Sequence, residues 1–299
     1  MKLAITGANG FVGKHLVELL GPRYEVFALS RTVPDERLSG VTYIATDYSV
    51  ASLLRHLAGM DGLVHLAATR PKGAIDSDVL GNVSLDYRVL LCAEQCALQR
   101  VVLASTRGVY GRLPVPWSEV QAPAPESPYA LAKRHSELTA DYFMQRGLNV
   151  VTLRLAQVFG LGEYASSAIA TFIRKAYRDE PVTLTVTGIL REYLYIRDIA
   201  TAIEATLLRS GNGVFNLGSG ECSSLEQIAR TIFRAFGREH RISEAQSMKS
   251  VPEHSLMDSS CFRREFDWAP AWTLRAAAED IAMTLHDKRE AAKYGLSGD

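Results

Sequence analysis

Hydrophobic residues arrive in short blocks over the first half of the chain, and the blocks alternate between two periods. Residues 2–6, 24–30, 41–46, 62–67 and 100–105 are near-continuous runs rich in Val, Ile, Leu and Ala, the pattern of strands buried on both faces. Between them, residues 11–20 space Phe11, Leu16, Leu19 and Leu20 along one helix face, and 49–58 and 74–98 carry helical patterns too. Strands separated by helices require crossover connections, so the fold class is α/β, a doubly wound parallel sheet covered on both faces. Past residue 158 the alternation becomes irregular, with helical stretches at 168–178, 197–209, 224–236 and 274–285 separated by short strand-like pieces. No repeat or Pro-, Gly- or Ser-rich linker marks a boundary. The expected organisation is a dinucleotide-binding domain over 1–157 and a smaller C-terminal α/β region over 158–299 that binds substrate. Segments around 188–216 are expected to return to the first domain, and residues 288–299 read as a loosely held tail.

Ligands of such sheets bind beyond the carboxyl ends of the strands. The first strand ends in Thr6-Gly7-Ala8-Asn9-Gly10-Phe11-Val12-Gly13, three glycines where a strand turns into a helix. Glycine allows the tight turn and a close backbone approach, and the helix N-terminus offers free N–H groups to a pyrophosphate. This makes the sheet a Rossmann sheet and Gly7, Gly10, Phe11, Val12 and Gly13 cofactor residues. The second strand ends Ser30-Arg31-Thr32, with no carboxylate before Asp35. A strand-end acid would bind the ribose 2′-hydroxyl of NAD, whereas the Ser30 hydroxyl and the Arg31 fork suit a 2′-phosphate. The cofactor is NAD(P), with NADP favoured over NAD.

Composition narrows the class further. The chain has 299 residues, 47% hydrophobic and 22% charged, which fits a folded globular protein. Its 33 Lys and Arg balance 33 Asp and Glu, so net charge gives no support to a nucleic-acid partner. No apolar run reaches the roughly 20 residues of a membrane span, and the first residues lack the pattern of a secretory leader. No membrane insertion and a cytoplasmic location are therefore expected. Cys92, Cys96, Cys222 and Cys261 are too scattered for a disulfide framework, and Cys92 and Cys96 read as small buried residues on a helix. No metal is expected.

Chemistry enters at the fifth strand, which ends at Ser105-Thr106, and at Ser127-Pro128-Tyr129-x-x-x-Lys133. Ser127 and Pro128 are N-cap and first-turn residues, so Tyr129 and Lys133 lie one turn apart on one helix face. A phenol is a poor base at neutral pH, and a nearby ammonium favours its anion. Tyr129 is thus the candidate acid/base, Lys133 its modulator and a ribose ligand, and Thr106 a partner for the same substrate oxygen.

Taken together, these motifs resemble an extended short-chain dehydrogenase/reductase of the NAD(P)-dependent nucleotide-sugar epimerase/dehydratase group. The resemblance runs over about residues 1–285 and includes Leu63-Val-His-Leu-Ala-Ala68, Asn82-Val83, Val109-Tyr110-Gly111, Leu153-Arg154 and Val158-Phe159-Gly160. It continues through Arg191-Glu-Tyr-Leu-Tyr-Ile-Arg-Asp198, Phe215-Asn-Leu-Gly-Ser-Gly220 and Asp267-Trp268-x-Pro270. It implies that Asp47 and Tyr48 meet the adenine end, that Leu66, Ala67 and Ala68 line the cofactor, and that Asn82 lies beneath the active site. It also implies that Gln157 lines the sugar pocket, where many members have Asn, and that Arg191 faces a nucleotide diphosphate. Asp47 read by itself is equally a helix-capping residue, and His65 a satisfied strand residue. Arg70 and Lys72 are charges that could meet a phosphate or a carboxylate, or remain in a solvated loop.

The implied activity is hydride movement at C4 of a nucleotide-linked sugar, as a 4-ketoreductase, favoured by Arg31, or a 4-epimerase. Relatives that are 4,6-dehydratases carry Asp-Glu after the strand-five threonine; here Arg107 and Gly108 stand there, so dehydration is rejected. Alternatives are a reductase of another small carbonyl or alcohol, or a non-catalytic cofactor-sensing protein. In the family the chain resembles, the long helices of residues 82–98 and 129–145 pair across a two-fold axis, so the resemblance implies a homodimer.

Overall fold

The computed structural model describes residues 1–69 and 76–296, so Arg70, Pro71 and Lys72 lie outside the described residues. In chain order the elements begin β1 Lys2–Thr6, α1 Phe11–Leu20, β2 Glu25–Ser30, β3 Val41–Ala45, α2 Val50–Leu57, β4 Gly62–His65 and α3 Asp76–Gln95. They continue with β5 Arg100–Thr106, a 3-10 turn Arg107–Tyr110, α4 Pro128–Gln145, β6 Val150–Leu155, β7 Gln157–Phe159, α5 Ala168–Tyr177 and β8 Val182–Tyr195. The remainder is α6 Ile196–Leu208, β9 Gly213–Leu217, β10 Cys222–Ser224, α7 Leu225–Ala235, β11 Ile242–Ser255, α8 Ser260–Phe266, α9 Leu274–His286 and α10 Lys288–Lys293.

The chain divides into two compact units. The first comprises Met1–Ala156, Ala200–Leu217 and Met257–Ala269. It holds a seven-stranded parallel sheet in the order β3-β2-β1-β4-β5-β6-β9. The order of strand addition reverses at β1, with β2 and β3 laid to one side and β4 onward to the other: Ile5 pairs with Ala28 of β2 and with Val64 of β4. The crevice there is the topological switch point where ligands of such sheets bind. One face of the sheet is closed by α2, α3 and α4 over a core containing Leu53, Leu57, Leu63, Val89, Leu90, Leu103 and Phe143. The apolar runs of the first half are these strands, buried where helices cover them; the run at 41–45 is the exception, since β3 lies at the sheet edge and its residues are half-buried or exposed. Met257–Ala269 belongs to this unit because Met257 bridges Trp117 and Phe262 and Phe266 pack edge-on against Phe215 of β9. Residues 200–217 group with this unit, and residues 188–199 with the second.

The second unit comprises Gln157–Ile199, Gly218–Leu256 and Pro270–Asp299. Its small sheet is centred on β8, which pairs parallel with β7 and β11 and antiparallel with β10. Helices α5, α7 and α9 pack in succession. Strands β8 and β11 each run 14 residues, far longer than the short pieces the sequence suggests. Residues 182–187 of β8 alternate apolar and polar, with Val182 and Leu184 buried, whereas β11 is mostly exposed or half-exposed and is held as a strand by pairing with β8. The C-terminal segment also departs from a loose tail. Asp287 caps α10 by accepting from the Arg289 N–H at 2.8 Å, and Ala291 and Leu296 are buried.

Candidate active site

The glycine turn between β1 and α1 is built for close backbone approach. Gly7 has φ +68°, and a Cβ there would lie 2.7 Å from the Ala67 nitrogen and 2.8 Å from the Leu66 carbonyl carbon. A Cβ on Gly13 would strike the Gly7 carbonyl oxygen and come within 2.8 Å of the Ala8 Cα. Helix α1 starts at Phe11 from Gly10, with no side-chain cap over its first N–H groups. A cradle too narrow for a side chain, opening on an uncapped helix start, fits a dinucleotide pyrophosphate; Phe11 and Val12 lie in its first turn. At the tip of β2, Ser30 is buried and donates its hydroxyl proton to the Thr32 carbonyl at 2.7 Å. Asn9 donates to the same oxygen at 2.7 Å, and Arg31 is exposed beside them.

Asp47 and Tyr48 have local work. The Asp47 carboxylate accepts from the Ser49 N–H at 2.9 Å, which holds its carboxyl below the usual range, and Ser49 caps α2. Tyr48 is buried with φ +57°, donates to the Leu29 carbonyl at 3.1 Å and accepts from the Gly7 N–H at 3.3 Å. Burial pushes its phenol up, so it remains a neutral brace between the glycine turn and β2. Beyond β4, the Leu66 and Ala67 N–H groups donate to the Thr6 hydroxyl at 3.2 and 3.4 Å. Buried Asn82 clamps the next turn, accepting from the Thr69 N–H and donating to the Thr69 carbonyl, each at 2.7 Å. Ala68 lies between these anchors, half-buried.

Tyr129 and Lys133 stand in the first two turns of α4. Ser127 caps this helix by accepting from the Ala130 N–H at 3.2 Å, and Pro128 opens its first turn. Tyr129 is half-buried and Lys133 only 2% exposed. Thr106 ends β5, and its hydroxyl accepts from the Gly108 N–H at 3.2 Å, which leaves its own proton to donate elsewhere. A Cβ at Gly108 would lie 3.4 Å from the Ala130 Cβ and 3.5 Å from the Thr106 hydroxyl oxygen. The Thr106 turn therefore abuts the first turn of α4, beside Tyr129.

What fixes α4 to the sheet is a buried network absent from the sequence reading. Glu137, one turn past Lys133, accepts from Ser105 at 2.6 Å, from Arg154 at 2.9 and 2.8 Å and from Arg134 at 3.1 Å. Arg154 also donates to the Tyr110 hydroxyl at 2.8 Å, which in turn donates to Asn216 at 2.7 Å. These bonds tie α4 to β5, β6, the 3-10 turn and β9. An acid four residues after Lys133 was the available signal, since that spacing places it on the same inward face. The thiols of Cys92 and Cys96 approach the Val50 and Leu54 carbonyls of α2 at 3.8 Å.

Two expected substrate residues belong to the second unit. Gln157 opens β7, opposite Tyr193 of β8. Arg191 of β8 is held by Glu253 of β11 through a two-pronged ion pair, one contact 2.7 Å and the other shorter.

Residues 3–218 match the NAD dependent epimerase/dehydratase family. The chain belongs to that family. Its relatives catalyse different reactions. A dTDP-glucose 4,6-dehydratase of Streptomyces griseus is 28% identical, over 95% of this chain and 92% of that protein. A dTDP-4-dehydro-6-deoxyglucose reductase of Escherichia coli is 26% identical, over 95% and 97%. The crystal structure of UDP-N-acetylglucosamine 4-epimerase from Bacillus cereus superposes with a TM-score of 0.86 at 28% identity, covering 95% and 98% of the two chains. The chain is thus an enzyme of an NAD-dependent nucleotide-sugar family whose members include epimerases, dehydratases and reductases. No helix among the described residues is long and apolar enough to cross a membrane.

Proposed function

We propose that the protein moves a hydride at C4 of a nucleotide-linked sugar, as a 4-ketoreductase that uses NADP in preference to NAD. The observation that carries this reading is buried Lys133 one turn behind Tyr129, on a capped helix whose first turn abuts the Thr106 turn. The nicotinamide, when bound, supplies or accepts the hydride. Tyr129 passes a proton to or from the C4 oxygen, and the Lys133 charge stabilises the phenolate and holds the cofactor ribose. The Thr106 hydroxyl, with its proton uncommitted, donates to the same substrate oxygen. The glycine turn cradles the pyrophosphate, Leu66, Ala67 and Ala68 present backbone to the cofactor, and Asn82 holds that backbone in place. Tyr48 and Ser30 shape the adenine end, Asp47 lies beside it, and Arg31 takes a 2′-phosphate. Gln157 is assigned to the sugar and Arg191 to the diphosphate.

Arg107 and Gly108 follow Thr106, so the turn offers no carboxyl to expel a C6 hydroxyl; this disfavours dehydration. A second reading, 4-epimerase with retained NAD, is favoured by the likeness to the Bacillus cereus epimerase. We further assign a homodimer, in the cytoplasm, joined through α3 and α4. Leu80, Tyr87, Leu131, Leu138 and Tyr142 stand exposed on these two helices, mostly at seven- and four-residue spacings.

The test screens nucleotide-linked 4-keto sugars and hexoses, following NADPH consumption and C4 inversion. A reductase consumes NADPH with product; an epimerase inverts C4 with no net consumption. Tyr129→Phe should bind cofactor normally and lose about 10²–10⁴-fold in turnover. Near-normal turnover of that variant on a true substrate would refute Tyr129 as the acid/base.

A further inference from the structure

The carbonyl of Thr32, just past the end of β2, accepts two hydrogen bonds. One comes from the Ser30 hydroxyl and the other from the Asn9 side chain, each at 2.7 Å. Only the amide nitrogen of Asn9 can donate to a carbonyl, and a hydroxyl has a single proton, so Ser30 spends its proton on Thr32. Ser30 is 6% exposed, and Asn9 stands between Gly7 and Gly10 in the glycine turn. Two further links join this turn to β2. The Ala8 N–H donates to the Leu29 carbonyl at 3.4 Å, and Tyr48 bridges the Gly7 N–H to that same carbonyl. Of the three links, Asn9 makes the one that passes beyond β2 to the turn carrying Arg31.

NAD and NADP make opposite demands on the Ser30 hydroxyl. The 2′-hydroxyl of NAD has a proton of its own and can donate to the Ser30 oxygen while Ser30 keeps its bond to Thr32. A 2′-phosphate only accepts. To meet it, Ser30 must turn its proton away from Thr32, and a carbonyl that loses its one donor offsets much of what the new bond contributes. With Asn9 present, the Thr32 carbonyl keeps a donor at 2.7 Å throughout, so Ser30 can change partner at little cost.

We propose that Asn9 is a positioning residue for 2′-phosphate recognition: its amide holds the Thr32 carbonyl and so frees the Ser30 hydroxyl to donate to the phosphate. This rests on the reading that Ser30 and Arg31 take the 2′-phosphate of NADP. Asn9 then acts through Ser30, and it matters to NADPH and not to NADH.

The measurement is NADPH and NADH affinity by fluorescence titration, with folding checked by thermal unfolding. The proteins are wild type, Asn9→Ala, Ser30→Ala, the double variant Asn9→Ala/Ser30→Ala, and Arg31→Ala. Asn9→Ala should weaken NADPH about three- to fivefold and leave NADH unchanged, the size of one modest hydrogen bond. Ser30→Ala should weaken NADPH at least as much, because the donor itself is gone. Adding Asn9→Ala to Ser30→Ala should then cost nothing further, since no proton is left to release. A further loss in the double variant means that Asn9 acts apart from Ser30, which overturns the proposal. Equal losses of NADPH and NADH in Asn9→Ala, or no loss of either, overturn it too, while a preference for NADPH that Arg31→Ala abolishes leaves the NADP reading standing. If wild type binds both cofactors equally, or Arg31→Ala keeps the preference, the NADP reading itself fails and the role of Asn9 with it. Should Asn9→Ala not fold, Asn9→Leu, close to asparagine in shape but without a donor, is read in the same way.

Discussion

Removing Glu137 from its pair with Arg154 should cost more than removing both. The Glu137 side chain is 0% exposed and that of Arg154 3%, and two parallel N–H···O bonds of 2.9 and 2.8 Å join them. Glu137→Leu leaves the Arg154 guanidinium buried with the Tyr110 hydroxyl as its remaining acceptor and the Tyr110 ring 4.8 Å away. An uncompensated buried charge of this kind costs about 3–5 kcal/mol. Arg154→Met should cost less, because Glu137 keeps Ser105 at 2.6 Å and the partly exposed Arg134 at 3.1 Å. The double variant Glu137→Leu/Arg154→Met removes both charges and orphans mainly the Ser105 hydroxyl, a loss of about 1–3 kcal/mol. Thermal unfolding reads this as a fall of roughly 6–20 °C for Glu137→Leu, at about 2–4 °C per kcal/mol for a unit of this size. The double variant should melt above Glu137→Leu. If its loss equals the sum of the two single losses, the pair is not coupled and does not hold α4 to the sheet in the way described.

Lys133→Met should lose turnover as Tyr129→Phe does and also weaken cofactor binding, whereas Thr106→Val should cost less than Tyr129→Phe because it removes one hydrogen bond and no proton transfer; parallel kcat and cofactor Kd measurements separate the three roles. Arg31→Ala should erase a preference for NADPH over NADH of roughly tenfold while sparing NADH. Equal affinities in the unmodified protein would remove the case for NADP. Light scattering at micromolar concentration should find a dimer, and Leu138→Glu, on the exposed face of α4, should yield monomers. A monomeric wild type would overturn the assigned interface.

The parallel sheet was legible in the sequence because its inner strands are covered on both faces, which compresses Val, Ile, Leu and Ala into runs that local pattern alone reveals; the edge strand β3, half-buried or exposed, is an apolar run without that cover. The glycine turn was legible too, since at Gly7 and Gly13 the backbone comes too close for any side chain. Ser127 and Pro128 announced α4, and with it the one-turn spacing of Tyr129 and Lys133. The length of β8 and β11 was not legible: residues 182–187 of β8 alternate apolar and polar, but β11 is mostly exposed or half-exposed and only pairing with β8 makes it a strand. Nor was the assignment of Met257–Ala269 to the first unit, which depends on aromatic packing against β9, distant in sequence. Tyr48 shows the same limit at the scale of one side chain: the resemblance placed it at the adenine end, and only the fold shows that its hydroxyl braces Gly7 and Leu29. Glu137 looks in the sequence like an ordinary charge of a helix. Its partners Ser105 and Arg154 come from elements that tertiary folding alone brings together. Charge and spacing are properties of the chain, whereas a counter-ion is a property of burial, and burial belongs to the folded structure.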